Sequence, residues 1–443
     1  MARKEIQDIH DTLQQALDLM KKEGADYAEA SFSTLQERQV KVRHGVVESL
    51  EASRPMGISL SLRIGDKSES ISLCSRSLAD LRDSVVQLAS ATRRMPDNPY
   101  DRPLETARIS PVRDNRSLDL IDRTRVSLAT LIEDARAMEA AALAVPGVSL
   151  SHGGSSGWYR ALFVNLDSRG HQFVSESTGF SRRVAVIART AQDQRINGEH
   201  SSAVYYTDLM DVEDIGREAG IQAVQALNPT AAAAGNMPVV FHPDIGTSLL
   251  AHCAAAINGR GARMKSSFLC DAMDDAVFAP GITVCDDPHL PRGMDSTRFS
   301  NSGMATKPMT VIEKGVLRTW FMGLEDARRL GLENAAHVRG HTNLTIEPGA
   351  LTPDELVADI KDGLYVTGLM GQGVDLTNGQ YSRAAHGFRI KDGRIDYSHP
   401  IANVSISSNL KKMFMNMSAA NDLNRLRGKV SVPTLRVDGM SVA

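Results

Sequence analysis

The sequence predicts an α+β protein in two parts, the first combining helices with an antiparallel sheet, the second mostly β with a few helices. Three observations carry that reading. Helical and alternating strand segments both occur, but they do not alternate strictly enough for a doubly wound parallel sheet. At 443 residues the chain exceeds one comfortable core. A small, breaker-rich stretch, 228-NPTAAAAGNMP-238, leads directly into the apolar run VVF. The expected parts are residues 1–235 and 236–443.

In residues 6–22, Ile6, Ile9, Leu13, Leu17 and Met20 recur at three- and four-residue steps, a helix face that Gly24 closes. Extended runs follow: QVKVR (39–43), a His44-Gly45 turn, VVESLEAS (46–53), GISLSLRI (57–64), a GDK turn and SESISLC (68–74). Alternation broken by short glycine turns predicts an antiparallel meander. Residues 77–93 return to helical periodicity, DNPYDRP (97–103) interrupts the chain, and a long helix is expected over about 118–143. VSLSH, ALFVNLD, HQFVSES and RRVAVIARTAQD read as strands, and 211–227 as a helix. The second part opens on a helix, 244-DIGTSLLAHCAAAINGRG-261, with Asp244 and Thr247 as candidate N-caps. Short strands follow at EKGVL, IKDGRIDY and VDGMSVA.

Composition excludes several classes. A formal net charge of −3 gives no general attraction to nucleic acid or an anionic membrane. The opening MARKEIQDIHDTLQQALDLMKK lacks the apolar core of a signal peptide, and no run reaches the roughly 20 apolar residues that span a bilayer. Cys74, Cys253, Cys270 and Cys285 form no C-x-x-C pair and predict reduced thiols, hence the cytosol.

Chemistry-bearing motifs are scarce. There is no H-E-x-x-H helix, no G-x-S-x-G elbow and no P-loop. His337 and His341 in 333-ENAAHVRGHTNL-344 are four apart, but Gly340 lies between them and no Glu follows His337. Cys253 adjoins His252, yet neighbouring helical residues point about 100° apart, so adjacency does not pair them. G-Q-G-V-D (371–375) lacks a third glycine. His252 lies on the stripe of Ile245, Leu249, Ala256 and Ile257, the position of a core or interface histidine.

Four strings in the second part, LLAHCAAAINGRGARMKSSFL (249–269), DDPHLPRGMDSTRFSNSGMAT (286–306), VTGLMGQGVDLTNGQYSRAAHGFRIKDGRI (366–395) and ISSNLKKMFMNM (406–417), resemble the TldD/PmbA family of modulators of DNA gyrase. More narrowly they resemble its TldE (PmbA) branch. The helix–GAD–strand opening, 24-GADYAEASFS-33, is similar to the family's first half. The resemblance implies a chain that pairs with a TldD-like catalytic subunit, the heterodimer enclosing a chamber where unfolded or precursor peptides are cut. It also implies that zinc sits in that partner, on an H-E-x-x-x-H helix plus a late cysteine, ligands the TldE branch lacks. With Leu249-Leu250 matched to the leucines before the zinc helix, its first histidine, glutamate and second histidine fall on Ala251, His252 and Ala256. Slid by one, they fall on His252, Cys253 and Ile257. Neither register supplies the ligands, and no cysteine follows Cys285, so no metal, cofactor or catalytic residue is expected in this chain.

The expected role is therefore a non-catalytic subunit contributing cavity wall and peptide binding. An extended peptide can be held by main-chain bonds to an exposed strand edge. The segment 381-YSRAAHGFRI-390 suits that, with Tyr381, Ser382, Arg383 and His386 leading into a strand and Arg383 able to pair with a carboxylate. Lys265, Ser266 and Ser267 after the Gly259/Gly261 break form a second candidate contact, although a loop held by its own hydroxyls explains them better. His252 is expected to line the cavity or an interface. The alternatives are a homo-oligomeric peptide-binding scaffold, and an independent enzyme built from His252, His337, His341 or His386.

Overall fold

The computed structural model describes residues 3–332 and 340–443. The chain opens with α1 (Arg3–Lys22), then β1 (Tyr27–Arg43), β2 (Val46–Ser53), β3 (Met56–Ile64), β4 (Lys67–Leu73) and α2 (Leu78–Arg94). After a long connection come α3 (Leu128–Leu143), β5 (Val148–Asp167), β6 (Gln172–Arg189), β7 (Gln194–Ala203) and α4 (Val212–Gln225). The seven strands form one antiparallel sheet in the order β4-β3-β1-β5-β6-β7, with β2 on the far half of β1. QVKVR is the end of a 17-residue strand, because β5 pairs with β1 nearly throughout while β3 and β2 share its other flank.

The predicted face of α1 is buried at Ile9, Leu13, Leu17 and Met20, and α2 adds Leu81, Val85 and Leu88. Both cover alternate residues of the sheet, Ala28, Ala30 and Phe32 with Leu60, Leu62 and Val164. Farther along, α3 and α4 cover Val184, Val186 and Ala188 with Met138, Ile215 and Ala219. A side-chain carbon at Gly216 would lie 2.4 Å from the Met138 carbonyl oxygen, so glycine there sets how closely these helices approach.

The helix expected from 118 starts only at Leu128, where the Ser127 hydroxyl accepts from the Thr130 amide. Leu118 and Leu120 are buried two residues apart, and the Leu120 carbonyl accepts from Thr178 of β6. The tertiary partner β6 holds this segment extended, overriding its helical spacing.

The second part holds β8 (Gly235–Phe241), α5 (Pro243–Ala256), α6 (Gly259–Met264), β9 (Val284–Asp286), β10 (Met309–Glu313), β11 (Val316–Leu317) and α7 (Leu324–Arg329). Then follow β12 (Leu344–Ile346), α8 (Pro353–Val357), β13 (Asp362–Met370), β14 (Val374–Asp375), β15 (Gln380–Lys391) and β16 (Arg394–Asn409). The chain finishes with α9 (Leu410–Met415), β17 (Met417–Ala419), β18 (Val430–Ser431) and β19 (Leu435–Val442). A small sheet runs β11-β10-β9-β12-β18. The larger runs β13-β8-β19-β16-β15-β14, and β13 also pairs with β15, which closes five strands into a ring. Helix α5 packs Leu249, Leu250 and Cys253 into the core beside this ring, where Phe278 and Phe414 stack at 4.3 Å. Among the described residues no helix is long and apolar enough to cross a membrane.

The opening helix of this part differs from the sequence expectation at both ends. His242 is the N-cap, its Nδ1 accepting from the Asp244 amide, while Thr247 donates to the Asp244 carbonyl inside the first turn. At the other end α5 stops at Ala256, and Asn258 caps a separate α6 by accepting from Gly261. Gly259 starts this second helix, where a side-chain carbon would lie 2.5 Å from that of Met322.

Asp286 on β9 has no exposed surface. One carboxylate oxygen accepts from the Thr342 amide and hydroxyl, and the other has no partner. Burial pushes its pKa to about 6. The folded chain thus keeps this proton over a range where the unfolded chain, with a carboxyl near about 3.9, has lost it. The group's stabilising effect is complete below about pH 4 and is lost as pH rises through about 6. Relative to Asp286→Asn, the native chain is expected to lose on the order of 2 kcal/mol of stability between about pH 4 and 7. Urea unfolding at both pH values checks this; parallel pH dependence in the two proteins would refute it.

Candidate functional site

Three of the eight sequence-proposed contacts come together where α5 meets β15. His252 is half-buried, with the Ala251 and Ala255 positions of the helix exposed around it. Its ring meets Tyr381 edge-on, centroids 6.4 Å apart. Tyr381 is 1% exposed, and among the described residues neither its hydroxyl nor His252 Nε2 has a close hydrogen-bond partner, the Arg383 side chain being the charged group that acts on the phenol. Arg383, two residues along the strand, shares Tyr381's side of the sheet, and its Nε donates to the Gly371 carbonyl at 3.0 Å. Burial, reinforced by the Arg383 guanidinium, holds the His252 imidazole below its usual range and therefore neutral at pH 7. Burial also pushes the Tyr381 phenol up to about 12.

The other proposed contacts lie apart. Lys265 is in the left-handed region at the end of α6 and pairs with Asp271; Ser266 is exposed. The buried Ser267 hydroxyl donates to the Ala256 carbonyl at 2.6 Å and accepts from the Leu269 amide, so it holds its own loop. Ser382 points to the exposed side of β15. His386 follows a bulge, lies against Gly368 and faces a different cavity. His341 packs edge-on to Phe321, while His337 lies outside the described residues.

The segment 381–390 is not an exposed edge. It lies inside β15, with β13 and β14 on one flank and β16 on the other. Ring closure uses the backbone groups that an incoming peptide would need. Sequence alternation identifies a strand but not its neighbours.

Helix α5 also fails as a zinc site. Its only imidazole is His252, because the matched positions hold Ala251 and Ala256, or Cys253 and Ile257. Cys253 is fully buried, and its thiol is pushed up to about 12, far from the thiolate a metal needs. Among the described residues no three His, Cys, Asp or Glu side chains group as metal ligands. The residues present do not fit the metal.

A cavity of about 640 Å³ lies between β7 and α4 on one side and β13, β15 and β16 on the other. His242, the α5 cap, lines it with Asp244, Glu199, His386, Tyr365 and Tyr397. Burial holds the imidazoles of His242 and His386 below their usual range, Asp244 opposing the effect at the first and Arg195 adding to it at the second. Glu199 is 7% exposed, accepts from the Gln222 amide at 3.2 Å and lies 3.7 Å from Arg427, which also grips Asp244. Sequence reading missed Glu199, His242 and the aromatic wall. H-P-D before an apolar helix signals a cap at His242, but nothing local marks Glu199.

Comparison with known proteins points one way. Residues 234–443 match the PmbA/TldA metallopeptidase C-terminal domain, and residues 122–227 match the central domain. Metalloprotease PmbA of Escherichia coli O157:H7 is 29% identical over 94% of this chain and 93% of its own length. A modulator of DNA gyrase from Bacteroides thetaiotaomicron, so described provisionally, superposes with a TM-score of 0.91 at 24% identity, covering 98% of both chains. TldE from Thermococcus kodakarensis superposes at 0.82 with 16% identity, covering 98% of this chain and 100% of that one. At these identities the two structures establish the fold alone.

The unpartnered Tyr381 hydroxyl yields a direct test of the α5–β15 contact. Tyr381→Phe is expected to leave stability unchanged or raise it by up to about 1 kcal/mol, since it removes a buried polar group that has no bond. A loss above about 1 kcal/mol in urea unfolding would show that the hydroxyl is bonded in solution.

Proposed function

The chain belongs to the PmbA/TldD metallopeptidase family, and we propose that within it this chain is the TldE/PmbA-type subunit, non-catalytic, of a cytosolic two-chain zinc peptidase. The observation that carries the reading is helix α5. It sits where the family's zinc helix is expected, yet presents Ala251, one neutral His252 and a buried, protonated Cys253. A hydrolytic zinc needs about three protein ligands and an open position, which this helix does not supply. The metal and the bond-breaking step belong in this reading to a TldD-like partner.

The role left to this chain is to hold and limit access for unfolded or precursor peptides. Its support is the cavity between the two parts, whose volume and mixed polar and aromatic lining suit a peptide segment. His252 and Arg383, standing over the buried Tyr381, supply a second polar surface beside α5, with Arg383 the group suited to a carboxylate. Lys265, Ser266, Ser382 and His386 stay in the proposal as contacts to peptide or partner; Ser267 contributes by fixing its loop.

The purified chain is expected to contain no stoichiometric zinc by elemental analysis and to cut no peptide alone. Adding a zinc-loaded TldD-like subunit should produce peptide cleavage, and chelation of the mixture should abolish it. One tightly held zinc in the isolated chain, or hydrolysis by a metal-stripped mixture, would overturn the proposal.

A further inference from the structure

Strand β7 ends the first sheet. From Gln194 to Ala203 one flank pairs with β6, and among the described residues no strand lies on the other. The amides of Gly198 and His200, two residues apart and so on one flank, are taken up by side chains instead: Asn197 Oδ1 and Glu199 Oε1, each at 2.8 Å. Each cap comes from the preceding residue, so the free edge is protected locally and reversibly.

The cavity of about 640 Å³ runs along this free flank, and both faces of β7 contribute to it. Three large apolar side chains line it while remaining exposed: Ile196 (56%), Met370 (51%) and Tyr397 (49%). Its charged lining is Glu199, Glu218 and Asp244 against Arg195; Arg195 is already tied to Asp193 at 3.0 Å, and Arg427 pairs with Asp244 and lies 3.7 Å from Glu199. Tyr397 and Phe388 meet edge-on at 5.0 Å, forming an aromatic wall.

We propose that the free edge of β7 receives an extended peptide segment as an added strand, with a lysine or arginine side chain directed to Glu199 and apolar side chains against Ile196, Met370 and Tyr397. The inference rests on the peptide-handling role proposed above and deepens it by naming the edge and the side-chain class. An incoming strand displaces the Asn197 and Glu199 caps. The same displacement that opens the His200 amide to a peptide carbonyl releases one acceptor position on Glu199 for the peptide's cation, the carboxylate keeping its bond from Gln222 and its neighbour Arg427. The acidic lining disfavours acidic segments, and an aromatic wall beside carboxylates suits a cation with an aliphatic stem.

The test uses the full chain without partner and a fluorescent extended peptide of alternating lysine and valine, followed by anisotropy. Replacing the lysines by norleucine should weaken binding about tenfold, and Glu199→Gln should remove most of that preference. N-methylation of alternate peptide amides needs no protein variant: one parity should abolish binding and the other leave it intact. Equal affinity for the two peptides, an equal effect of both methylation parities, or no binding would overturn the inference. Partner-dependent hydrolysis, measured separately, distinguishes the two ideas. Cleavage without the parity pattern removes the β7 site and leaves the subunit role; the parity pattern without cleavage does the reverse.

Discussion

Pairing of β13 with both β8 and β15 closes the second sheet on itself, and the remaining arrangement follows from that closure. Each strand in the ring pairs with two neighbours, β16 meeting β19 only at Ile406 and Ser407, so within the paired stretches the ring offers surfaces and side chains and no edge. Helix α5 is then fixed beside it through Leu249, Leu250 and Cys253. This places His252 over Tyr381 and turns the His242 cap toward the first sheet. The first sheet is open and ends at β7, so backbone hydrogen-bonding capacity is left on the side where the two parts face each other.

The chemistry around α5 is that of a packed element. Burial keeps its thiol protonated, the reverse of what recruiting a metal requires, and leaves His252, though neutral, as a single ligand on the helix. His252 Nε2 and the Tyr381 hydroxyl leave this helix–strand contact polar in an otherwise apolar setting. The cavity next to the helix cap has a different character, with a nearly buried Glu199 and exposed apolar side chains on opposite walls. A division of labour between chains fits that contrast. Chemistry needs ligands this helix lacks, whereas holding an extended segment needs an edge and a lined space.

Where periodicity has a local cause, the sequence was legible. The face of α1, the β1–β2 and β3–β4 hairpins and the two-part α+β character follow from three- or two-residue spacing and glycine turns, which act over a few residues; the expected continuous meander does not form, because β2 and β3 both pair with the long β1. The extent of β1, the extended path of residues 119–127 and the end of α5 depend instead on what packs against them.

The candidate site divides in the same way. Composition and motif matching by themselves determined that the chain resembles a metallopeptidase family while lacking its ligand set, because ligand identity is a property of single residues. Only the tertiary structure decided that Tyr381 and Arg383 stand beside His252, that 381–390 is enclosed, and that the open edge is β7. A strand's alternation records which faces are covered, but its free backbone groups depend on neighbours far away in the chain. Glu199 and Tyr397, 198 residues apart, could be seen to line one cavity only once the chain had folded.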